Sequence, residues 1–476
     1  MPEEPDFDDL QDCRFGCGPV PVSPAPRPAP RGAATPRAAG AAADDAGVRD
    51  RLPPEILLRS NHAWRKTSLQ ATAHIPSGYT YLGQLMGHDM GSSVPLSSVP
   101  HVTRGNVIGA VSVLGPRRYN LIDNPLTLET VYGSGPMMLS HVYDPDTMLF
   151  RLTPGARLAR VYRGSHDPMS QADNRPIRAL YDERNRDTLM LHELAVAWMQ
   201  FHNLCARRLL ASGRKPFEAY AMARAHSVRV WHGIIRDDIL ARFLHPEIAA
   251  MAEDDLPPEW RLDEVTLLHG LFRAFHAMPL AAYDLGRQGM HNLADLLKSG
   301  FDVSEAESDW NIDWPLFFGL KPGGPMTGLS ASVAPELRAP TTAAAVIALD
   351  NSAAAEARPL RPGNAKIEAA LALLPAPWPT RLAPLALATE FRARHPDSPV
   401  DVTADMIEWG PLFQMIMIEA QLYGQKGGLG PFGSALLRAS ITGTIDRVVL
   451  APEQEGAGNL PRPATMMKLI ELVREV

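Results

Sequence analysis

Residues 188–211 read TLMLHELAVAWMQFHNLCARRLLA. Leu189, Ala195, Trp198 and Leu209 recur among polar positions, and no Gly or Pro interrupts the run, so the stretch predicts a long helix. Working outward, residues 217–243, 263–280, 404–423 and 434–441 read the same way. Strand-like alternation is scarce. Two Pro/Gly-rich stretches, 321–340 and 372–384, predict loops or short extended segments. The class is therefore mainly α. No composition break inside 51–476 calls for a second domain, so that range predicts one large helical domain.

Composition narrows the function. The chain has 476 residues, 45% hydrophobic and 21% charged, as a globular protein does. Residues 19–46, PVPVSPAPRPAPRGAATPRAAGAAADDA, hold too little apolar surface to pack. Residues 1–50 are accordingly predicted to be disordered. With 46 basic against 53 acidic residues, net −7, no basic excess exists to neutralise phosphates, which argues against a nucleic-acid partner. Apolar runs such as Ala343–Leu349 are far too short to span a membrane. The start, MPEEPD, has no apolar stretch of the Sec signal type. A cytoplasmic protein, or one exported by another route, is expected. Three cysteines, Cys13, Cys17 and Cys205, cannot form a disulfide framework.

Several catalytic motifs fail on inspection. His192-Glu193 lacks the second histidine of a zinc-protease helix, because position 196 is Val. Gly328-Leu329-Ser330-Ala331-Ser332 lacks the closing glycine of a nucleophile elbow. No P-loop is present. The dipeptide His88-Asp89 leaves open a metal-dependent phosphohydrolase of the HD type.

Three segments carry more chemistry. In residues 76–90, PSGYTYLGQLMGHDM, a helix places Gln84 and His88 four residues apart on one face, with Asp89 rotated about 100° away. In residues 181–205, YDERNRDTLMLHELAVAWMQFHNLC, Arg184 stands just before the long helix and Asp187 near its first turn. In residues 271–280, LFRAFHAMPL, Arg273 and His276 are three apart.

TYLGQLMGHDM resembles the distal-histidine helix of the animal-type haem peroxidases, in particular their bacterial relatives. DERNRDTLMLHELAVAWMQFHNLCARRL resembles their distal-arginine segment. VWHGIIRDDILARFL and LFRAFHAMPL resemble the next helix and the proximal-histidine helix, and VYGSGP (131–136) and GLGPFGSALLRASI (428–441) also match. The resemblance runs from about Ile75 to Ile445. It implies a mainly α domain around haem b, with hydrogen peroxide and a small organic donor or halide as substrates and an iron(IV)-oxo intermediate. His276 would ligate the iron, with Arg273 and Asp187 also at the haem. His88 and Gln84 would stand on the opposite side, and Arg184 would approach the same cavity.

Departures from the family pattern refine this. The position of the usual ester-forming Asp is Gly87, and the second ester carboxylate matches Asp187, a shorter acid. The haem is therefore expected to be non-covalent. Thr188 replaces the methionine of a sulfonium link. The family's calcium would draw on Asp89, Asp123, Thr127 and Glu129. The proximal histidine's partner would be Asp350 or Asn351 in VIALDNSAA. The fatty-acid dioxygenases of the superfamily carry a tyrosine three residues before the proximal histidine. Here Arg273 stands there and cannot form the radical, which favours a peroxidase. A dioxygenase-like relative, or one that has lost turnover, is the alternative within the superfamily. Tyr132 and Tyr181 are aromatic positions with no assigned distance to the haem.

Overall fold

The computed structural model describes residues 73–95, 118–152, 160–161, 177–297, 311–331, 362–398, 401–410, 412–452 and 457–474. The expectations for residues 1–50, Asp350 and Asn351 lie outside them. The described part is mainly helical. Its longer helices are α1 (Gly78–Met90), α2 (Leu189–Ala211), α3 (Pro216–Ile234), α4 (Ala365–Ala372), α5 (Pro384–Arg394), α6 (Leu412–Tyr423), α7 (Pro431–Ile445) and α8 (Met466–Arg474). Among the described residues the strands form two-stranded antiparallel pairs, such as Ile75–Pro76 with Met326–Thr327.

Several helix boundaries follow from local chemistry. Thr188 caps α2, its hydroxyl accepting the Leu191 N–H at 3.2 Å. Pro216 opens α3, where its missing N–H costs nothing. The predicted 404–423 helix divides at Gly410, whose extended backbone (ψ 170°) precedes Pro411. Glu419 of α6 seats α7: its carboxylate accepts the N–H groups of Phe432 (2.5 Å) and Gly433 (3.0 Å) at the positive end of the helix. Gly430 is needed there, because a Cβ would meet Glu419 Cγ at 2.4 Å. Burial pushes the Glu419 carboxyl up to about 8 against these two N–H bonds.

One predicted helix has a different form. Residues 263–280 begin with a turn capped by Asp263, widen to a π turn at Leu267–Leu271, and tighten to a 3-10 turn at Phe272–Ala277. Such changes of winding re-aim side chains and recur at functional sites. The 3-10 turn ends just before Pro279.

All these elements share one apolar core. Its centre is α1, with Leu82, Leu85, Met86 and Met90 fully buried. α2 packs between α1 and α3. A helix buried nearly all round can carry polar side chains only if each finds a partner. Those partners define the site.

Candidate functional site

On α1 the residues from Gly78 to Gly83, and Leu85, Met86, Asp89 and Met90, are buried. Gln84, Gly87 and His88 are not. Positions 84, 87 and 88 fall at the i, i+3, i+4 spacing of one helix face. The expected pairing of Gln84 with His88 is therefore present, on the single open face of a buried helix. That face looks toward the segment that carries His276. A Cβ on Gly87 would lie 3.9 Å from the Phe272 ring, and one on Gly83 would lie 4.0 Å from Phe243, which stacks edge-on against Phe275. Arg273 is near enough for its charge to act on His88. The site is thus walled by α1 and the 267–277 turn, with aromatic rings at its margin.

His88 as a residue is partly buried, and its ring is packed round by protein. Burial pushes the imidazole down to about 4, the Arg184 charge pushes the same way, and Asp182 and the Asn185 hydrogen bond oppose them. It is therefore neutral above about pH 5, as a base must be. Its Nδ1 lies 3.2 Å from Asn185 Oδ1. Asn185 Nδ2 donates to the Thr130 carbonyl at 3.0 Å and to its hydroxyl oxygen at 3.2 Å. The Thr130 hydroxyl donates to Asp182 Oδ2 at 2.8 Å.

Arg184 is beside this network but turned from the expected direction. Its Nη2 is paired with Asp182 at 2.6 Å, and Nε donates to the same carboxylate. Nη1 donates to the Gly91 carbonyl at 2.9 Å, and Nη2 also to that of His88 at 3.1 Å. These are carbonyls at the negative end of α1, where a cation is favourable. Arg184 therefore clamps the end of the helix that holds His88, rather than reaching into the open face. Asp187 is buried just before α2, its N–H donating to the Arg184 carbonyl at 3.0 Å. Tyr132 is held away from the open face, its hydroxyl 3.0 Å from His202 Nδ1.

No family model matches the chain, and no curated protein matches it in sequence. Solved structures do match in shape. Peroxidase A from Dictyostelium discoideum superposes at TM-score 0.55, 11% identical over 88% of each chain. The fatty acid alpha-dioxygenase of Oryza sativa superposes at 0.53, 10% identical over 88% of this chain and 77% of that one. A Tyr-to-Phe variant of the rice enzyme with palmitic acid gives 0.53 at 11% identity, covering 90% and 77%. The chain has the fold of these enzymes.

Within this fold, the residues named for calcium lie in a network of hydrogen bonds. Asp89 Oδ2 accepts the Leu128 N–H (2.8 Å) and the Trp231 indole N–H (2.9 Å), and Oδ1 accepts the Thr130 N–H (3.3 Å). Glu129 accepts the N–H groups of Asp123 and Asn124 and the Asn124 amide. The Thr127 hydroxyl donates to the Asn124 carbonyl. Calcium needs six or more converging oxygens. Here donors occupy the Asp89 and Glu129 carboxylates instead. Among the described residues no three His, Cys, Asp or Glu side chains cluster as a metal site. The carboxylates that would serve calcium are thus already hydrogen-bonded within the chain.

Asp89 is an anchor of the fold. It ties the loop around Leu128 and helix α3 to α1, and its backbone carbonyl accepts from Leu126 N–H. Burial pushes its carboxyl up to about 7, while the bonds from Leu128, Trp231 and Thr130 pull it back. Asp89→Ala is expected to destabilise the protein by about 3 kcal/mol or more, because three buried donors lose their acceptor. A chelator should leave the thermal midpoint of the native protein unchanged. A midpoint that falls with chelator and recovers with calcium would restore the metal site.

Sequence reasoning missed Asn185, Asp182, Thr130 and Trp231. Asn185 lies between two arginines in a polar run, and no spacing rule singles it out.

Proposed function

We propose that this protein is a haem peroxidase that reduces hydrogen peroxide at the expense of a small organic donor or a halide. The observation that carries the reading is the single open face of α1, where a neutral histidine and an amide stand together opposite the turn bearing His276. The residues present fit a haem. The face is formed by Gln84, Gly87 and His88, its margin is aromatic, and Arg273 would offer a cation to the carboxylate side groups of a haem. His276 would hold the iron, as the only histidine of LFRAFHAMPL. Haem, when bound, supplies the electrons that cleave the peroxide O–O bond.

The chain's own residues handle the proton. His88 takes it from peroxide at Nε2 and returns it to the oxygen that leaves as water. Gln84, one helical turn earlier, offers amide N–H groups to the same oxygens. Arg184 acts from the far side, holding the carbonyl of His88 and disfavouring a second proton on its ring.

The test is optical. Purified protein with added haem should give a Soret band, and peroxide should then drive oxidation of a phenol. A band without phenol oxidation would indicate a relative that has lost turnover, and no band would end the proposal. The dioxygenase-like reading draws on the likeness to the rice enzyme. Oxygen uptake on palmitic acid, absent with phenol and peroxide, would favour it. Arg273 weighs against it, because it stands where a radical-forming tyrosine is needed.

A further expectation concerns attachment. Gly87 has no carboxylate, and Asp187 is one methylene shorter than Glu. Acid–organic solvent should therefore extract the haem, both before and after cycling with peroxide. A haem adduct on the tryptic peptide containing Asp187, seen by mass spectrometry, would overturn this.

A further inference from the structure

We infer that Asn185 is a positioning residue that locks His88 as its Nδ1–H tautomer, leaving the Nε2 lone pair on the face shared with Gln84. The inference rests on reading His88 as the base of the site, and it follows from donors and acceptors alone. Asn185 is fully buried, so its amide must be satisfied by neighbours. The Thr130 backbone carbonyl can only accept, so the Asn185 atom 3.0 Å from it is the nitrogen. Flipping the amide would set two acceptor oxygens against each other. The Thr130 hydroxyl spends its only proton on the Asp182 carboxylate, so it too accepts from Asn185 Nδ2. Asn185 Oδ1 is thereby turned to His88 Nδ1, and an amide oxygen can only accept. The imidazole must donate there. A neutral imidazole carries one N–H, so Nε2 is left bare.

The chain of bonds spans residues from three parts of the sequence and ends on the Asp182–Arg184 pair. Arg184 in turn grips the carbonyl of His88. One turn before α2 thus sets both the backbone end and the ring of the catalytic histidine. Tautomer matters because the wrong one presents an N–H where a base is needed, at a cost of up to about 10⁴-fold in rate in a comparable histidine system.

The tautomer can be read by long-range nitrogen–proton NMR on histidine-labelled protein, with His88 assigned from its loss in His88→Gln. This needs neither haem nor peroxide. At mildly alkaline pH the wild type should show the Nδ1–H pattern at His88. Asn185→Leu, similar in size, should shift it toward Nε2–H. After loading with haem, the Leu variant should react with peroxide roughly 10–100-fold more slowly, the effect typical of a partner that orients a functional histidine. A wild type showing Nε2–H, or a Leu variant keeping the full Nδ1–H pattern, would overturn the inference. The wild-type spectrum decides even if the Leu variant does not fold. An Nδ1–H signature in a protein without peroxide chemistry would instead count against the peroxidase reading and leave the Asn185 assignment standing.

Discussion

His88→Ala is expected to bind haem as the wild type does and to react with hydrogen peroxide roughly 10²–10⁴-fold more slowly, the range for loss of a positioned acid–base group. The side chain removed is partly buried on α1 and makes one hydrogen bond, to Asn185, so the helix and its core should survive. In the wild type the reaction should fall away only as pH drops through about 4. Burial and Arg184 hold the imidazole that far down, and protonation removes the Nε2 lone pair. His88→Ala should lose this acid limb along with the rate. Stopped-flow mixing with peroxide across pH measures both. Equal rates in wild type and variant would dismiss His88 as the base.

The second large effect is loss of the cofactor itself in His276→Ala. Three buried histidines on the long helices have competing duties. His202 is bonded to Tyr132, His226 Nε2 is 2.9 Å from the Pro461 carbonyl, and His232 Nε2 is 2.8 Å from the Leu126 carbonyl. His276 lies instead on the turn facing the open side of α1, with Phe272 against Gly87. The Soret band should vanish or shift strongly in this variant, while His202→Ala and His232→Ala keep it and lose stability. The reverse pattern of spectra would show that the ligand had been misplaced.

Much of the fold was legible because helices are local. The 188–211 helix is found at Leu189–Ala211, with Thr188 as its cap, and 434–441 lies inside α7. The 263–280 segment was misread in form, because its π and 3-10 turns depend on what it packs against. The surroundings of the calcium candidates were not legible for a related reason. Asp89, Asp123, Thr127 and Glu129 have the right side chains for a metal. Only packing revealed that backbone and indole N–H groups reach two of the carboxylates, Asp89 and Glu129. Arg184 was legible as a cation near the site, but its direction was not.

The sequence alone determined the helical class, the common face of Gln84 and His88, the divergence of Asp89, and the missing carboxylate at Gly87. Each follows from residue identity and a period of 3.6, which govern neighbours within a few positions. The tertiary structure decided the rest: which face of α1 stays open, which carbonyls Arg184 clamps, and which nitrogen of His88 bears the proton. His88 and Asn185 are 97 positions apart, and Asp89 and Trp231 are 142 apart. No local rule links such pairs. A buried polar atom takes the partner that packing brings within reach, and only the folded chain determines which atom that is.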